Sequence, residues 1–309
     1  MSPQAVQFDE YGPSTVLHLT QVPLPHPGPG QVLVAVRAAA INPIDAGRRS
    51  GALRQTFPVT FPGTQGSDLA GVVHSIGPGV DAWQAGDEVI GWTRSWSAQA
   101  SHVLMPADQL IPRPTEIDWP VAGSLFMVGA TATGLVERSA AVAGETVLVS
   151  AAAGGVGSVV VQLLRERGAE VVAVASDANA DWLRSLGAVP VRYGEGLADR
   201  VRAATGPAGR LDALIDLHGP EYLDLGLVLD VPPQRMVTAT AFTRAQEIGA
   251  AIAGAADASS TAMLTGIAER VADGRLQIRV AATYPLDQVV AAMDRLASGS
   301  AGKIVLTAG

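Results

Sequence analysis

Short apolar runs separated by turn residues fill the chain from its start to about residue 110. The runs Val32–Ala40, Ala70–Ile76 and Asp87–Ile90 alternate with segments rich in Gly and Pro, such as 25–30 and 77–79. Short strands with this punctuation are typical of a compact β barrel or sandwich. We therefore predict that this first region is all β.

After Trp119-Pro120 the pattern changes to alternating strands and helices. Continuous apolar runs are typical of strands buried on both faces, and a spacing of three to four residues between apolar positions indicates amphipathic helices. The predicted strands are Thr146–Ala151, Glu170–Ala175, Val189–Tyr193, Asp212–Leu217 and Arg235–Thr240, and the predicted helices are Ser158–Arg167, Asp177–Leu186, Leu197–Thr205 and Glu221–Leu229. This alternation predicts a doubly wound parallel sheet of the Rossmann type.

A β pattern returns after Gly274, where strands at Leu276–Ala282 and Lys303–Thr307 enclose an amphipathic helix at Leu286–Leu296. The simplest arrangement is an α/β protein in which one domain is inserted into the other. Residues 123–273 form the Rossmann domain, and residues 1–122 together with 274–309 form the β-rich domain, which the chain end completes.

Composition narrows the classes of function. The 309 residues are 48% hydrophobic and 16% charged, with a net charge of −8. An acidic chain whose only lysine is Lys303 lacks the basic surface that nucleic-acid binding requires. The absence of cysteine excludes disulfides and thiolate metal sites. The first Lys or Arg is Arg37, so no secretory signal is recognisable, and the uncharged stretch Thr146–Leu164 contains a glycine turn. We expect a cytoplasmic protein that does not cross a membrane.

The sharpest local motif is Ala151-x-x-Gly154-Gly155-Val156-Gly157, at the end of one predicted strand and the start of a helix. Glycines let the backbone approach a pyrophosphate, and the helix N-terminus offers free N–H groups. The motif therefore predicts a dinucleotide site. The alternative is a tight turn without a ligand.

The end of the second strand indicates which dinucleotide binds. An NAD site has an acidic residue there for the ribose hydroxyls, whereas this chain has Ser176, which carries no charge to repel a 2′-phosphate. We therefore predict NADPH. Asp177, one residue later, leaves NADH open if the strand ends differently, although a carboxylate in the first turn of a helix explains it as well.

The order and spacing of several motifs resemble the zinc-independent quinone oxidoreductases of the medium-chain dehydrogenase/reductase superfamily. The motifs are 27–34 (PGPGQVLV), 39–45 (AAINPID), 66–73 (GSDLAGVV), 85–89 (AGDEV), 151–157 (AAAGGVG), 186–188 (LGA) and 302–306 (GKIVL). The resemblance implies a GroES-like fold for the β-rich domain and a homodimer.

The resemblance also implies a metal-free enzyme. Where zinc-dependent relatives have metal ligands, the matching positions here are Asn42, Ser67 and Met127, none of which is a usual zinc ligand. Without a Lewis acid, quinones and α,β-unsaturated carbonyls are the easier acceptors, because they delocalise the incoming charge themselves. The reduced acceptor then takes a proton from water or a weak donor.

The same resemblance makes Asn42 and Asp45 catalytic candidates; the alternatives are an Asn-Pro turn and a carboxylate that accepts local backbone bonds. His218 is a candidate for another reason: it follows a predicted strand, at the carboxyl edge where ligands of such sheets bind. It is the candidate proton donor to the reduced product, although most relatives have an apolar residue there; the alternative is a solvated loop histidine. The predicted cofactor-binding residues are Asn42, Thr131, Gly154, Gly155, Val156, Gly157, Ser176, Tyr193, Leu217, His218, Ala239, Thr240 and Lys303. Relatives have a basic residue where this chain has Asn179, so Arg192 or Lys303 is the candidate to supply that charge.

The sequence thus predicts an NADPH-dependent, zinc-free quinone oxidoreductase. One alternative is a reductase of enone, alkenal or enoyl-thioester double bonds, which shares the hydride chemistry. The other is a non-catalytic NADPH-binding protein with a structural or regulatory role.

Overall fold

A computed structural model describes residues 2–206 and 209–308. The chain forms two compact units: the first runs to Met127 and resumes at Ser260, and the second is Val128–Ser259. The sequence pattern places the boundaries after residues 122 and 273 instead. The larger difference concerns the helix Thr261–Ala272, which groups with the first unit rather than with the Rossmann unit.

The first unit contains two sheets. A small antiparallel sheet consists of β1 (Gln4–Phe8), β2 (His18–Gln21) and β4 (Gly63–Thr64). The large sheet has the order β15-β16-β3-β5-β6-β8, with β7 also paired to β3; its strands are β3 (Gln31–Ile41), β5 (Asp68–Ile76), β6 (Glu88–Trp92), β7 (His102–Pro106), β8 (Leu110–Pro112), β15 (Val280–Pro285) and β16 (Lys303–Thr307). The predicted β-rich domain completed by the chain end is confirmed.

Strand β3 is the centre of the large sheet. It pairs antiparallel with β5, β7 and β16, which explains why its apolar residues are almost all buried. The neighbouring backbone comes very close at Gly71 of β5, where a Cβ atom would lie 2.3 Å from the Ala35 carbonyl oxygen. A side chain at this position would push the two central strands apart.

Five helices lie wholly or partly in the first unit: α1 (Pro43–Arg49), α2 (Trp119–Ala122), α3 (Leu125–Ser139), which continues into the second unit, α9 (Thr261–Ala272) and α10 (Val289–Ala297). Helix α10 buries Val289, Ala292 and Met293, the i, i+3, i+4 spacing of an amphipathic helix. The short helix α1 corrects the expectation that the first region is all β. Its start signals, Asn42 followed by Pro43, are visible in the sequence.

The second unit is a six-stranded parallel sheet of order β11-β10-β9-β12-β13-β14. The strands are β9 (Thr146–Val149), β10 (Glu170–Ala175), β11 (Val189–Arg192), β12 (Ala213–Asp216), β13 (Met236–Thr238) and β14 (Ala251–Ile252), and the helices are α4 (Gly155–Glu166), α5 (Ala180–Ser185), α6 (Leu197–Ala204), α7 (Pro220–Val228) and α8 (Phe242–Ile248). This is the Rossmann strand order, as predicted.

The strand order determines where a ligand can bind in the second unit. The order in which successive strands join the sheet reverses between β9 and β12, and ligands of such sheets bind outside the carboxyl ends of the strands at this point. Every residue of β9 and of β12 is buried, which is the signature of central parallel strands. No helix among the described residues is both long enough and apolar enough to cross a membrane.

Candidate active site

The glycine turn lies at the predicted place, between β9 and α4. Gly154 is the N-cap of α4 and provides no side-chain cap, so the first N–H groups of the helix are left for a ligand. A Cβ atom on Gly157 would lie 2.3 Å from the Ala151 carbonyl oxygen, whereas one on Gly154 would meet that oxygen at 3.2 Å. Glycine at 157 is therefore required for close packing of helix and turn, and the turn fits a dinucleotide diphosphate.

A buried carboxylate organises the strand ends beside this turn. Asp216, the last residue of β12, accepts hydrogen bonds from five donors, and neither oxygen is left without a partner. The donors are Ser150 Oγ, the backbone N–H groups of His218 and Gly219, and the hydroxyls of Thr238 and Thr240, at 2.7 to 3.1 Å. Asp216 thus holds the carboxyl ends of β9, β12 and β13 in one arrangement.

Four of the predicted cofactor residues lie on the two loops that Asp216 anchors. Leu217 donates its N–H to Ser150 Oγ at 2.7 Å, and Ala239 donates its N–H to the Asp216 carbonyl at 3.1 Å. Thr240 and His218 bond to Asp216 directly. Asp216 itself is not among the residues predicted from the sequence, although a carboxylate at the end of an apolar strand is a visible signal there.

The predicted proton donor His218 is half exposed and already has a partner. Its Nδ1 lies 2.7 Å from Glu221 Oε1, and its ring packs edge-on against Tyr222. The catalytic role of His218 stays a prediction.

The segment that follows β10 is polar and partly exposed. Ser176 Oγ accepts a hydrogen bond from the Asn179 side chain at 2.9 Å. The end of the adjacent strand brings Arg192 opposite Ala175, and Arg192 forms an ion pair with Asp177 at 3.4 Å. Tyr193 follows and is 54% exposed. A basic residue and a hydroxyl therefore lie at neighbouring strand ends.

The most unusual feature of the first unit is a buried group of polar side chains around the start of α1. It comprises Asn42, Asp45, Asp68 and Lys303, which we call the Lys303 cluster. Each of these four residues is at most 5% exposed. Thr131, another predicted cofactor residue, lies on α3 in the second unit and is also buried.

Hydrogen bonds join the cluster across distant parts of the chain. Lys303 Nζ donates to Asn42 Oδ1 at 2.5 Å, and Asn42 Nδ2 donates to Asp68 Oδ2 at 3.1 Å. The other oxygen of Asp68 accepts the Met127 N–H at 3.0 Å. Lys303 thus contacts Asn42 and is buried rather than exposed at the start of its strand.

Asp45 connects the cluster to the backbone. Its oxygens accept the N–H groups of Asn42, at 2.9 Å, and of Gly66, at 3.1 Å. It therefore holds the first turn of α1 against the segment before β5. Gln99 Nε2 donates to the same carboxylate at 3.4 Å, and Gln99 Oε1 accepts a hydrogen bond from Gln65 Nε2 at 2.7 Å. This structural role matches the alternative given above for Asp45.

Burial shifts the pKa values of the charged members of the cluster. It raises the pKa of Asp45 to about 6; the Asn42 backbone bond opposes the shift and the Asp68 charge adds to it. Burial also raises the pKa of Asp68 and lowers that of Lys303, and their mutual attraction opposes both shifts. The cluster holds charge only because each group has polar partners.

The residues at the metal-ligand positions do not fit zinc. Asn42, Ser67 and Met127 offer an amide, a hydroxyl and a thioether, and the Asn42 amide oxygen already accepts the Lys303 ammonium. A second cation at that oxygen would be repelled by the first. Among the described residues, no group of three or more His, Cys, Asp or Glu could hold a metal ion.

Comparison with known families agrees with this architecture. The alcohol dehydrogenase GroES-like domain family matches residues 28–115, and the zinc-binding dehydrogenase family matches residues 140–306, more than half of the chain. Together with the Rossmann strand order and the glycine turn, these matches define a nicotinamide-dependent oxidoreductase. The chain belongs to the medium-chain dehydrogenase/reductase superfamily and, within it, to the zinc-independent quinone oxidoreductase group.

Several individual proteins are similar. Spectinabilin polyketide synthase system protein NorB from Streptomyces orinoci is 34% identical over 96% of the chain, which spans only 14% of NorB. Quinone-oxidoreductase QR1 from Triphysaria versicolor is 30% identical over 78% of each chain. Crotonyl-CoA reductase from Streptomyces collinus is 33% identical over 57% of the chain and 49% of the reductase. The quinone oxidoreductase structure from Coxiella burnetii has a TM-score of 0.85 at 27% identity and covers 99% of each chain.

The raised pKa of Asp45 predicts that this residue's contribution to the free energy of unfolding increases as the pH falls. Because the folded protein binds this proton more tightly than the unfolded chain, whose Asp has a pKa of 3.8, protonation favours the folded state as the pH falls through about 6 toward 4. We expect wild type to gain up to about 3 kcal/mol of unfolding free energy relative to Asp45→Asn. Urea unfolding of both proteins at several pH values measures it, and a flat or opposite difference would contradict it.

The hydrogen bonds of Asp216 predict a defined effect on cofactor affinity. Asp216→Asn replaces one accepting oxygen by a donor, which loosens the anchored loops, so nicotinamide dinucleotide should bind about tenfold more weakly. Calorimetric titration measures the affinity.

Asp212→Asn is the matched control for this variant. Asp212 precedes the other end of β12, where it accepts the Thr146 N–H, and its substitution should leave the affinity unchanged. Equal weakening by both variants would show that Asp216 acts through general stability.

Proposed function

We propose that the protein is an NADPH-dependent, metal-free reductase of quinones. The observation that carries the proposal is the Lys303 cluster, in which an ammonium and an amide occupy the region where related enzymes would need metal ligands. The relatives named as quinone oxidoreductases support the same substrate class.

The acceptor follows from the chemistry of the available groups. When bound, the reduced nicotinamide supplies a hydride, which is a proton with two electrons. The acceptor then carries a negative charge. The amide of Asn42, the hydroxyl of Ser67 and the thioether of Met127 cannot stabilise that charge as strongly as a metal ion would. Quinones delocalise this charge over their ring and second oxygen. The hydroquinone anion takes its proton from water, so one quinone consumes one NADPH and one solvent proton.

The protein's own groups bind and orient the reactants in this scheme. The N–H groups at Gly154-Gly155-Val156-Gly157 bind the diphosphate. The loops held by Asp216 position the cofactor through Leu217, His218, Ala239 and Thr240, and Thr131 also contributes. Asn42 donates an amide N–H to the acceptor oxygen. The main contribution of the protein is therefore orientation and a fixed polar environment.

NADPH is favoured by the polar groups at the ends of β10 and β11. Ser176 can donate its hydroxyl to a 2′-phosphate, and Arg192 supplies the positive charge that Asn179 does not. Arg192 is already beside this strand end, paired with Asp177. A phosphate would compete with that carboxylate for the guanidinium, and the 2−charge of the phosphate makes it the stronger partner.

We also propose that the enzyme is cytoplasmic and a homodimer. The chain has no cysteine, so nothing in it depends on an oxidising compartment. Strand β14 is the edge of the parallel sheet, and Ile252 on it and Phe242 on α8 are 40% and 48% exposed. An apolar sheet edge of this kind favours pairing with a second copy.

A reductase of activated carbon–carbon double bonds is the second candidate. It is favoured by the similarity to crotonyl-CoA reductase, and it would use the same hydride and the same amide donor. The acceptor anion would be an enolate, which is more basic than a hydroquinone anion and depends more on stabilisation by the protein. The third possibility is a binding protein that holds NADPH without turnover.

Cofactor preference is tested by Ser176→Asp, which places a carboxylate where the 2′-phosphate would lie. We expect kcat/KM for NADPH to fall by about a hundredfold relative to that for NADH, because like charges repel and the hydroxyl donor is lost. Arg192→Ala should shift the ratio in the same direction by about tenfold.

Arg202→Ala is the charge-matched control. This residue lies on α6, where it pairs with Asp199 and bonds the Val228 carbonyl, so its loss should leave the ratio unchanged. A wild-type enzyme that prefers NADH would contradict the role given to Ser176.

The proposed function is tested with the purified protein, NADPH and a panel of a benzoquinone, a naphthoquinone, a cyclic enone and a saturated ketone. We expect the turnover rate to decrease in the order quinone, enone, ketone. The rate is measured from the loss of nicotinamide absorbance. Fastest turnover of the enone would favour the double-bond reductase. Tight NADPH binding with no turnover of any acceptor would favour the binding protein, and efficient reduction of the saturated ketone would contradict the argument from charge delocalisation.

A further inference from the structure

Lys303 is the only lysine of the chain, and it is 95% buried. All other basic side chains in the sequence, apart from the histidines, are arginines. Burial of an ammonium is costly unless polar atoms surround it. A residue of this kind at the start of β16 therefore requires an explanation beyond the formation of a strand.

Three oxygen atoms surround the Lys303 ammonium. Asn42 Oδ1 lies at 2.5 Å, the Ile41 carbonyl oxygen at 3.3 Å and Asp68 Oδ2 at 4.0 Å. The pairing of Ile304 with Ile41 places Lys303 next to the end of β3. The ammonium is thus a cation tethered inside a cage of oxygens, with its shortest contact to a neutral amide.

This contact determines which way the Asn42 amide points. An amide turned the other way would place its NH₂ group against the ammonium, so Oδ1 must face Lys303 and Nδ2 must face Asp68. Nδ2 carries two hydrogens. One is donated to Asp68, and the other has no acceptor among the described residues. Lys303 therefore leaves one oriented N–H of Asn42 available.

The charge of Lys303 also offsets the carboxylates around it. Asp45 and Asp68 would together present two negative charges beside Asn42, and Lys303 interacts electrostatically with both. Arg48 and Arg49 on α1 are buried as well and interact with Asp45. With Lys303 the five groups sum to one positive charge; without it the sum is zero, and the group nearest Asn42 is a carboxylate.

We propose that Lys303 is a positioning residue for hydride transfer, which holds Asn42 with its free N–H toward the acceptor oxygen and supplies the positive charge that stabilises the acceptor anion. This inference rests on the proposed function. The acceptor gains two electrons and one proton as hydride and becomes an anion, which water then protonates. Lys303 keeps its proton throughout and acts through Asn42 and through its field.

The test uses Lys303→Met, which keeps the length of the stem and removes the charge. The loss in kcat should depend on the acceptor: about a hundredfold for an enone, whose enolate is basic, and less than about tenfold for a benzoquinone, whose anion is stabilised internally. KM should change little. A merely structural role would lower kcat by the same factor for all acceptors, and that result would overturn the proposal.

Asn42→Asp tests the amide donor apart from the cation, because it removes the amide N–H and keeps the Lys303 ammonium. The variant keeps an oxygen for Lys303 but has no N–H to donate, so it should show the same dependence on the acceptor as Lys303→Met. An unchanged kcat for the enone in this variant would show that Asn42 does not act on the acceptor. Circular dichroism of both variants verifies that they are folded before their rates are compared.

A second readout does not depend on turnover. Because the chain has one lysine, labelling with ¹³C at lysine Cε gives a single side-chain NMR signal, that of Lys303 in the wild-type protein with NADP⁺ bound. Para-nitrophenolate, a stable phenolate that imitates the reduced anion, should shift this signal, whereas neutral nitrobenzene should not. Equal shifts or no shift with both compounds would overturn the proposal, even if Lys303→Met fails to fold.

The two measurements also distinguish this inference from the proposed function. If the wild type reduces no acceptor of the panel, the proposed function fails, and the NMR signal still reports whether an anion near Asn42 is sensed by Lys303. If the wild type is active and both variants lose rate uniformly, only the inference about Lys303 fails.

Discussion

The contact between the Lys303 ammonium and the Asn42 amide is the constraint on which the first unit depends. It joins the beginning of the last strand to the end of β3, two segments separated by most of the sequence. A buried ammonium without partners would cost several kcal/mol, so the strand can enter the sheet only in the register that brings Lys303 to its oxygens. The same contact orients Asn42, and through Asn42 it reaches Asp68 and the N-terminal end of α3.

The second unit uses a negative charge in a similar way. Asp216 gathers five donors from three strand ends, and among the described residues none of these donors is a basic side chain. Neutral donors, two of them backbone N–H groups, compensate its charge. In each unit, therefore, a buried ion has partners from distant segments and helps to fix the loops that carry the candidate functional residues.

Periodicity was sufficient to predict most strands and helices of the fold, because burial on one or both faces leaves a direct trace in the order of residues. Glu170–Ala175 and Lys303–Thr307 have the bounds that the pattern predicts. Helix α1 has only seven residues, too few to show a period. Helix α9 groups with the first unit although it adjoins the second along the chain, and a grouping of this kind leaves no trace in local pattern. The glycine turn was predictable for the same local reason as the strands. The partners of Lys303 and Asp216 were not, since a hydrogen bond between residues 261 positions apart has no counterpart in local pattern.

A tethered ammonium also differs from a metal ion in what it can do for a reaction. A metal ion with an open coordination position binds the substrate oxygen directly and polarises it before the hydride arrives. An ammonium whose N–H groups are directed to oxygens of the protein has no such position, so it acts through the neighbouring amide and through its field. Its effect is greatest on charge that develops late and smallest on acceptors that already disperse charge. A fold that replaces metal ligands by this arrangement gives up strong polarisation of simple carbonyls, and its reactivity is thereby directed toward conjugated acceptors.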